Sequence, residues 1–475
     1  MLLRFLVLFK GVFFMESLVR NHWNSQSDFV FNTVFKVLFI IYSTFYRFVD
    51  RLPIEMQWIR FFSWIIVIYG FLVLLFDFFG KKNYFSSKES RWFLLSVFFL
   101  LFSIINQHSG VWETVKWDVH LVLMMFLLLQ YPVDMTATQV KKQLVFLGKI
   151  LFVLFLGYSV ASLLGFLTGK VIRFDEFYYY GFFEGRLDCF LQMNTLGSTM
   201  VFFALVSIYC LVKEEKRVKR FFFFFCILLA LITLSLTQSR GATVAFSFSF
   251  SFGASVYILR KKQKPCRFFT FTITIAAIAL MVILYLFISG FYPFLVKGHG
   301  ILSKGSEHES LTMTNMEYGR RGLFIHNRVD TTDRITIWKE TLAIIKKHPL
   351  TGSGSFSSPD SLLIQEAKAS DAYQLKKVYY KTHNNILQIA LMNGIPFALC
   401  LVVVILTYGF RFLKRILSGE WTLFEVLFLS LGCEYLLLSM IESFVAYPWG
   451  LSLFIFCQIC SYYGYYGSNA PNDFS

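Results

Sequence analysis

Apolar residues run along this chain in stretches of roughly 18 to 25, the length at which an α-helix crosses the hydrocarbon core of a bilayer. The pattern predicts about twelve such spans: 29–47, 59–79, 91–107, 114–131, 144–168, 192–212, 220–237, 241–259, 269–291, 384–410, 421–441 and 446–465. Between Phe246 and Phe252, Phe and Ser alternate as they would in a strand. That segment lies inside a long apolar run, so a helix is expected, with its serines bonding back to helix carbonyls.

One polar interruption breaks the rhythm. From Phe291 to His383 the apolar runs stop for roughly ninety residues, far beyond an ordinary connection. Within it, Thr332 to Lys347 reads as an amphipathic helix, with Ile335, Ile337, Trp338, Leu342 and Ile345 assigned to one face and Asp330, Thr331 and Thr332 as caps. Pro349-Leu-Thr-Gly352-Ser-Gly354 ends it, and a second helix is expected from about Ser361 to Tyr379. The expected fold is all-α: a polytopic membrane helix bundle with a large outer loop containing short helices. Its parts are an N-terminal interfacial segment (1–28), membrane helices (29–291), the large loop (292–383), further membrane helices (384–466) and a C-terminal tail (467–475).

Composition agrees with a membrane protein. At 56% hydrophobic and 19% aromatic residues, with a mean hydropathy of +0.59, the chain carries more apolar surface than a soluble fold of 475 residues could hide. Met1 to Phe14 is apolar but interrupted by Arg4 and Lys10. It has no small-residue cleavage site, so it reads as an interfacial helix. Most of the eight cysteines lie in or near apolar runs, with no spacing that suggests a disulfide framework or a zinc knuckle.

The net charge of +16 would suggest nucleic acid in a soluble protein, but no folded basic domain is present to carry it. The charge sits in short loops instead: Lys81, Lys82 and Lys88; Lys141 and Lys142; Lys213 to Arg220; Arg260 to Lys264; and Arg411, Lys414 and Arg415. These alternate with nearly charge-free connections such as 108–113 and 442–448, so the basic set is expected in the cytoplasm, near anionic lipid. Arg47, Arg51 and Arg60 run against this alternation. The same orientation places 169–190, the turn at Ser239-Arg240-Gly241 and the large loop on the outer face. Arginines there oppose the positive-inside trend, and anion binding is the simplest reason for them.

Four outward elements carry the candidate chemistry. They are Glu184-Gly185-Arg186-Leu187 with Gln192-Met193-Asn194; Ser239-Arg240-Gly241; Asp333-Arg334 with Trp338, followed by His348-Pro349; and His383-Asn384-Asn385, followed by Asn393-Gly394. A bland reading exists for each. Arg240 could be a snorkelling interfacial residue, Arg334 a solvated loop charge and His383 a local hydrogen-bonding group. Arg320, Arg321 and Arg328 read as solvated charges, and His326 and His348 as structural. Glu434 and Glu442, in or near an apolar span, are functional by default but show no partner in the sequence.

The order, spacing and common face of the four elements resemble the O-antigen ligase and polysaccharide polymerase superfamily of bacterial membrane glycosyltransferases, over about residues 180–410. The resemblance implies that Arg240, Arg334 and His383 are catalytic. It marks Arg186, Asn194 and Asn384 as substrate-binding, although Asp188 and Met193 depart from the family's usual Gly and Pro. It further implies a polyprenyl-diphosphate-linked glycan donor, a glycan or lipid acceptor, polysaccharide-assembly partners and a site on the outer face of the bacterial inner membrane.

The chemistry of these residue types agrees. Arginine forks hold diphosphate and stabilise its developing charge, while a histidine of near-neutral pKa suits removal of a hydroxyl proton. No Asp-x-Asp motif or ligand-spaced cluster suggests a metal or other cofactor. The motifs leave polymerase and ligase open, with a lean to polymerase because nothing marks a dedicated lipid-core acceptor site. A lipid-linked oligosaccharide transporter is the alternative of another class. It would need polar groups near mid-membrane, and the distinctive residues cluster at one face instead.

Overall fold

The computed structural model describes residues 25–49, 59–79, 83–105, 111–169, 172–173, 179–183, 186–189, 193–261, 267–302, 328–355, 361–370, 372, 375, 380–418, 422–442 and 450–468. Residues 1–24 of the expected segment 1–28, residues Glu184, Gly185, Gln192, Arg320, Arg321 and His326, and residues 469–475 of the expected tail 467–475 lie outside them, whereas 25–28 and 467–468 belong to helices.

The chain is a polytopic helical membrane protein. Its helices are α1 (Ser25–Val49), α2 (Ile59–Phe79), α3 (Lys88–Ile105), α4 (Val111–Leu123, continued by a π turn at Met124–Leu128), α5 (Ala137–Thr168), α6 (Met193–Lys213), α7 (Arg217–Thr237) and α8 (Arg240–Lys261). They continue as α9 (Arg267–Leu302), α10 (Arg328–Lys347), α11 (Leu362–Ala369), α12 (Asn385–Asn393), α13 (Ile395–Ser418), α14 (Leu423–Ile441) and α15 (Leu451–Ser468). Among the described residues, 8 helices are long and apolar enough to cross a membrane.

The segment of alternating Phe and Ser is helical, within α8, and Ser247 Oγ donates to the Thr243 carbonyl at 2.9 Å. Helix α1 falls short of a purely apolar span because its buried side is polar. Its Lys36 Nζ donates to Gln143 Oε1 at 2.9 Å and lies 4.0 Å from the Tyr131 ring centroid, while Asn32 Nδ2 donates to the Tyr84 hydroxyl at 2.8 Å. Such groups persist in a bundle interior only when partnered.

The contacts divide the chain into two compact units: 1–147 with 333–415 and 443–475, and 148–332 with 416–442. In the first, α10 and α11 of the large loop share a core with α12 and the start of α13, built on Ile337, Ile344, Ile345, Leu363, Leu375 and Leu391. The buried face of α10 differs from the expected one. Ile337, Thr341, Ile344 and Ile345 are buried, whereas Ile335 and Leu342 are exposed. Residues 335 and 337 are about 200° apart on a helix, so they cannot share a face. Helix α10 carries two apolar stripes that point in different directions. Only the stripe at i, i+4, i+7 and i+8 meets the core.

The second unit holds a feature the helical reading did not include. A small antiparallel sheet, β1 (Ile172–Arg173), β2 (Tyr179–Phe183) and β3 (Arg186–Cys189), occupies the expected outer segment 169–190. Phe182 pairs with Leu187 across β2 and β3. Both residues are buried against Phe166, Leu236, Tyr292 and Val296. The aromatic run Tyr178-Tyr-Tyr-Gly-Phe-Phe183 favours strand, and the pairing of Phe183 with Arg186 leaves the two-residue connection typical of hairpins.

Three further expectations about element boundaries change. Helix α9 continues through Pro293 to Leu302, past the expected end of its span at 291. The expected span 384–410 is broken at Gly394 into α12 and α13. The second loop helix ends at Ala369, with Ser370 as its C-cap, short of the expected Tyr379.

Candidate active site

In the second unit, the Ser239-Arg240-Gly241 turn is closed by close packing. Helix α7 ends on Gln238, a non-glycine residue in the left-handed region at φ 53°, and α8 starts at Arg240 two residues later. Ser239 is buried, and its amide donates to Thr237 Oγ1 at 3.3 Å. A Cβ on Gly241 would come within 2.4 Å of Ile441 Cδ1 on α14, and one on Gly197 of α6 within 2.7 Å of Ser239 Cβ. The ends of α6, α8 and α14 therefore meet around this turn, with the Arg240 side chain exposed.

Asn194 lies one turn before Gly197, and Glu442 follows Ile441. Asn194 Nδ2 donates to Glu442 Oε1 at 2.8 Å. Leu236, near the end of α7, packs against Leu187, the residue after Arg186 in β3. One end of this unit thus gathers the strand of Arg186, Asn194, Arg240 and Glu442. The sequence flagged Glu442 without a role, and its partner is 248 positions away.

The first unit assembles the other group. Arg334 and Trp338 are one turn apart on α10, and Arg334 is half-buried. The Trp338 indole donates from Nε1 to the Thr382 carbonyl at 2.8 Å, which ties the helix of Arg334 to the residue before His383. His383 is half-buried and has a left-handed backbone, φ 51°, uncommon outside glycine although histidine is among the residues enriched there.

Its flanks hold that conformation. Thr382 Oγ1 donates to the Asn384 carbonyl at 2.6 Å and accepts from the Asn384 amide at 3.2 Å. Gln388 Oε1 accepts from the Thr382 amide at 2.9 Å, and Gln388 Nε2 donates to the Tyr380 carbonyl at 3.3 Å. Asn384 is the N-cap of α12, its Oδ1 accepting from the Leu387 amide at 3.1 Å. The cap accounts for that side-chain oxygen.

The structure therefore groups Arg334 with His383 and Asn384, and groups Asn194 with Arg240 and the strand of Arg186. The sequence named most of these residues. It gave no sign of Thr382 and Gln388 as the braces of His383, because a hydroxyl and a carboxamide at those positions are unremarkable until the turn brings them together.

At the loop's surface, Lys347 Nζ donates to Glu366 Oε2 at 2.6 Å, and His348 Nε2 lies 3.2 Å from Glu366 Oε1. The Lys347 hydrogen bond holds the Glu366 carboxyl below the usual carboxylate range. Among the described residues, no group of three or more His, Cys, Asp or Glu is placed to hold a metal ion.

Residues 222–402 match the family model described as O-antigen ligase. The match spans Arg240, Arg334, His383 and Asn384, so the resemblance to the O-antigen ligase superfamily holds over the stretch that carries them. Arg186, Asn194 and Glu442 fall outside it. No curated protein sequence matches the chain.

Proposed function

We propose, from this family match, that the protein is a glycosyltransferase that moves glycan from a polyprenyl-diphosphate donor to a sugar hydroxyl on the outer face of the bacterial cytoplasmic membrane, and that it acts as a polysaccharide polymerase. The observation that carries the proposal is the inclusion of Arg240, Arg334 and His383 in one matched stretch. The indole bond that ties the Arg334 helix to the His383 turn supports a joint role for the last two.

In this reaction the acceptor oxygen forms a bond to the anomeric carbon, and the bond from that carbon to the phosphate oxygen breaks. The electron pair leaves with the diphosphate. His383 takes the hydroxyl proton, and direct attack inverts the anomeric centre. Arg240 and Arg334 hold the diphosphate by charge-assisted hydrogen bonds that strengthen as its charge develops. Arg186 and Asn194 bind substrate. Asn384 also binds substrate, while its side-chain oxygen caps α12.

The test is purified protein supplied with lipid-linked repeat units alone. A ladder of products establishes the polymerase. Transfer only when a lipid, protein or wall acceptor is added establishes the ligase. Movement of labelled lipid across vesicles without bond formation establishes a transporter. Unchanged products from Arg240→Ala, Arg334→Ala and His383→Ala would sink the enzymatic reading.

A further inference from the structure

The geometry points to Asp118 as a positioning residue for His383, acting through the far end of α12. This rests on the proposed role of His383 as proton acceptor. Asp118 lies on α4, is 3% exposed, and has two side-chain partners. Ser103 Oγ on α3 donates to one of its oxygens at 2.9 Å, and Asn393 Nδ2 donates to the other at 2.8 Å. Asn393 is the last residue of α12, 1% exposed, and 275 positions from Asp118 in the chain.

Both ends of this short helix are pinned. At its start, the Asn384 cap and the braces Thr382 and Gln388 fix the turn that carries His383. At its end, the Asp118–Asn393 bond ties it to α3 and α4. Beside that bond, the Ser353 and Gly354 amides donate to the carbonyls of Leu391 and Met392 at 2.8 and 2.9 Å. Thr114, one turn before Asp118, accepts from the Ser355 amide at 3.4 Å. Thr114 and Asp118 thus form one face of α4 that holds both the Gly352–Ser355 turn and the end of α12.

A buried carboxylate held by side-chain hydrogen bonds from Ser103 and Asn393 is a costly way to add stability, since a well-packed apolar contact would serve as well. What it adds is directional. A two-bonded carboxylate fixes the lateral position of Asn393, and through it the tilt of α12. Helix α12 has 9 residues, a length of roughly 13 Å at 1.5 Å per residue, and His383 sits just before its N-cap. A tilt of about 4° over that length moves His383 by about 1 Å, a displacement on the order of 10²-fold in rate at a reacting centre.

The experiment compares the full-length enzyme with Asp118→Ala, Asn393→Ala, the double variant and His383→Ala, measuring kcat and the donor KM per folded protein. Folding is followed by size exclusion and thermal melting. The expected result is a kcat at least about tenfold lower in each single variant, a donor KM changed less than about threefold, and a double variant no worse than the poorer single one. Asn393→Ala leaves the Ser103–Asp118 bond in place, so it reports even if Asp118→Ala does not fold. The inference is overturned if the folded fraction of the single variants keeps the native kcat, or if the two losses multiply as independent sites do. Retained transfer by His383→Ala would instead remove the reading on which it rests, and the two failures are separated in one data set.

Discussion

The break between α12 and α13 should tolerate no side chain at Gly394. This residue has φ 86° and ψ 163°, a region essentially limited to glycine. A Cβ there would lie 2.3 Å from the Leu350 carbonyl oxygen and 2.6 Å from its carbon, both backbone atoms that no rotamer change can move aside. Gly394→Ala therefore incurs about 1–3 kcal/mol of backbone strain.

It must also push the 349–352 turn away from α12. The Ile395 amide bonds the Pro349 carbonyl at 2.8 Å, and the Ser353 amide bonds the Leu391 carbonyl at the same distance. Losing one such buried bond costs a further 1–3 kcal/mol or so, for a total of about 2–6 kcal/mol. Thermal unfolding of the purified protein in detergent measures this directly. Hydrogen exchange at the Ser353, Gly354 and Ile395 amides should locate the damage. Gly290→Ala is the control: it lies within helix α9, where a Cβ meets nothing within 4 Å, and it should be neutral or slightly stabilising. A Gly394→Ala protein that melts with the native one and keeps native exchange at those amides would refute the reasoning.

Arg240→Ala should lower turnover by about 10²-fold or more, and Arg240→Lys should restore only part, since it keeps the charge and loses the fork. Asn194→Leu and Glu442→Ala should show coupling of about 0.5–3 kcal/mol in a double-mutant cycle on thermal stability, and simple additivity would contradict the bond between them. Gly253→Ala should destabilise the packing of α8 on α14, since its Cβ would lie 2.0 Å from Ser430 Oγ, and adding Ser430→Ala should recover most of the loss. The Lys347–Glu366 tie should contribute stability above the usual carboxylate range and lose it as pH falls through the lowered value. Glu366→Gln should flatten that acid-side slope in a melting series across pH.

The membrane helices were legible in the sequence because lipid offers no partner to backbone polar groups, which favours long helices with apolar lipid-facing residues. Arg240, Arg334 and His383 entered as candidates through the order and spacing of their motifs along the chain. The strand pairing of Phe182 with Leu187 was not legible, because it depends on burial of both residues against Phe166, Leu236, Tyr292 and Val296. Nor was the true inner face of α10. Its two apolar stripes are equivalent in composition, and only the neighbouring Leu363, Leu375 and Leu391 select one of them.

The sequence by itself determined a polytopic helical protein and nominated Arg240, Arg334 and His383. Tertiary structure decided how those residues are held: Asn194 against Glu442, Trp338 against Thr382, and Asp118 against Asn393. The reason is physical. Hydrophobic length is a local property written in consecutive residues, whereas a hydrogen bond between groups far apart in the chain exists only once packing has brought them together and excluded water from both.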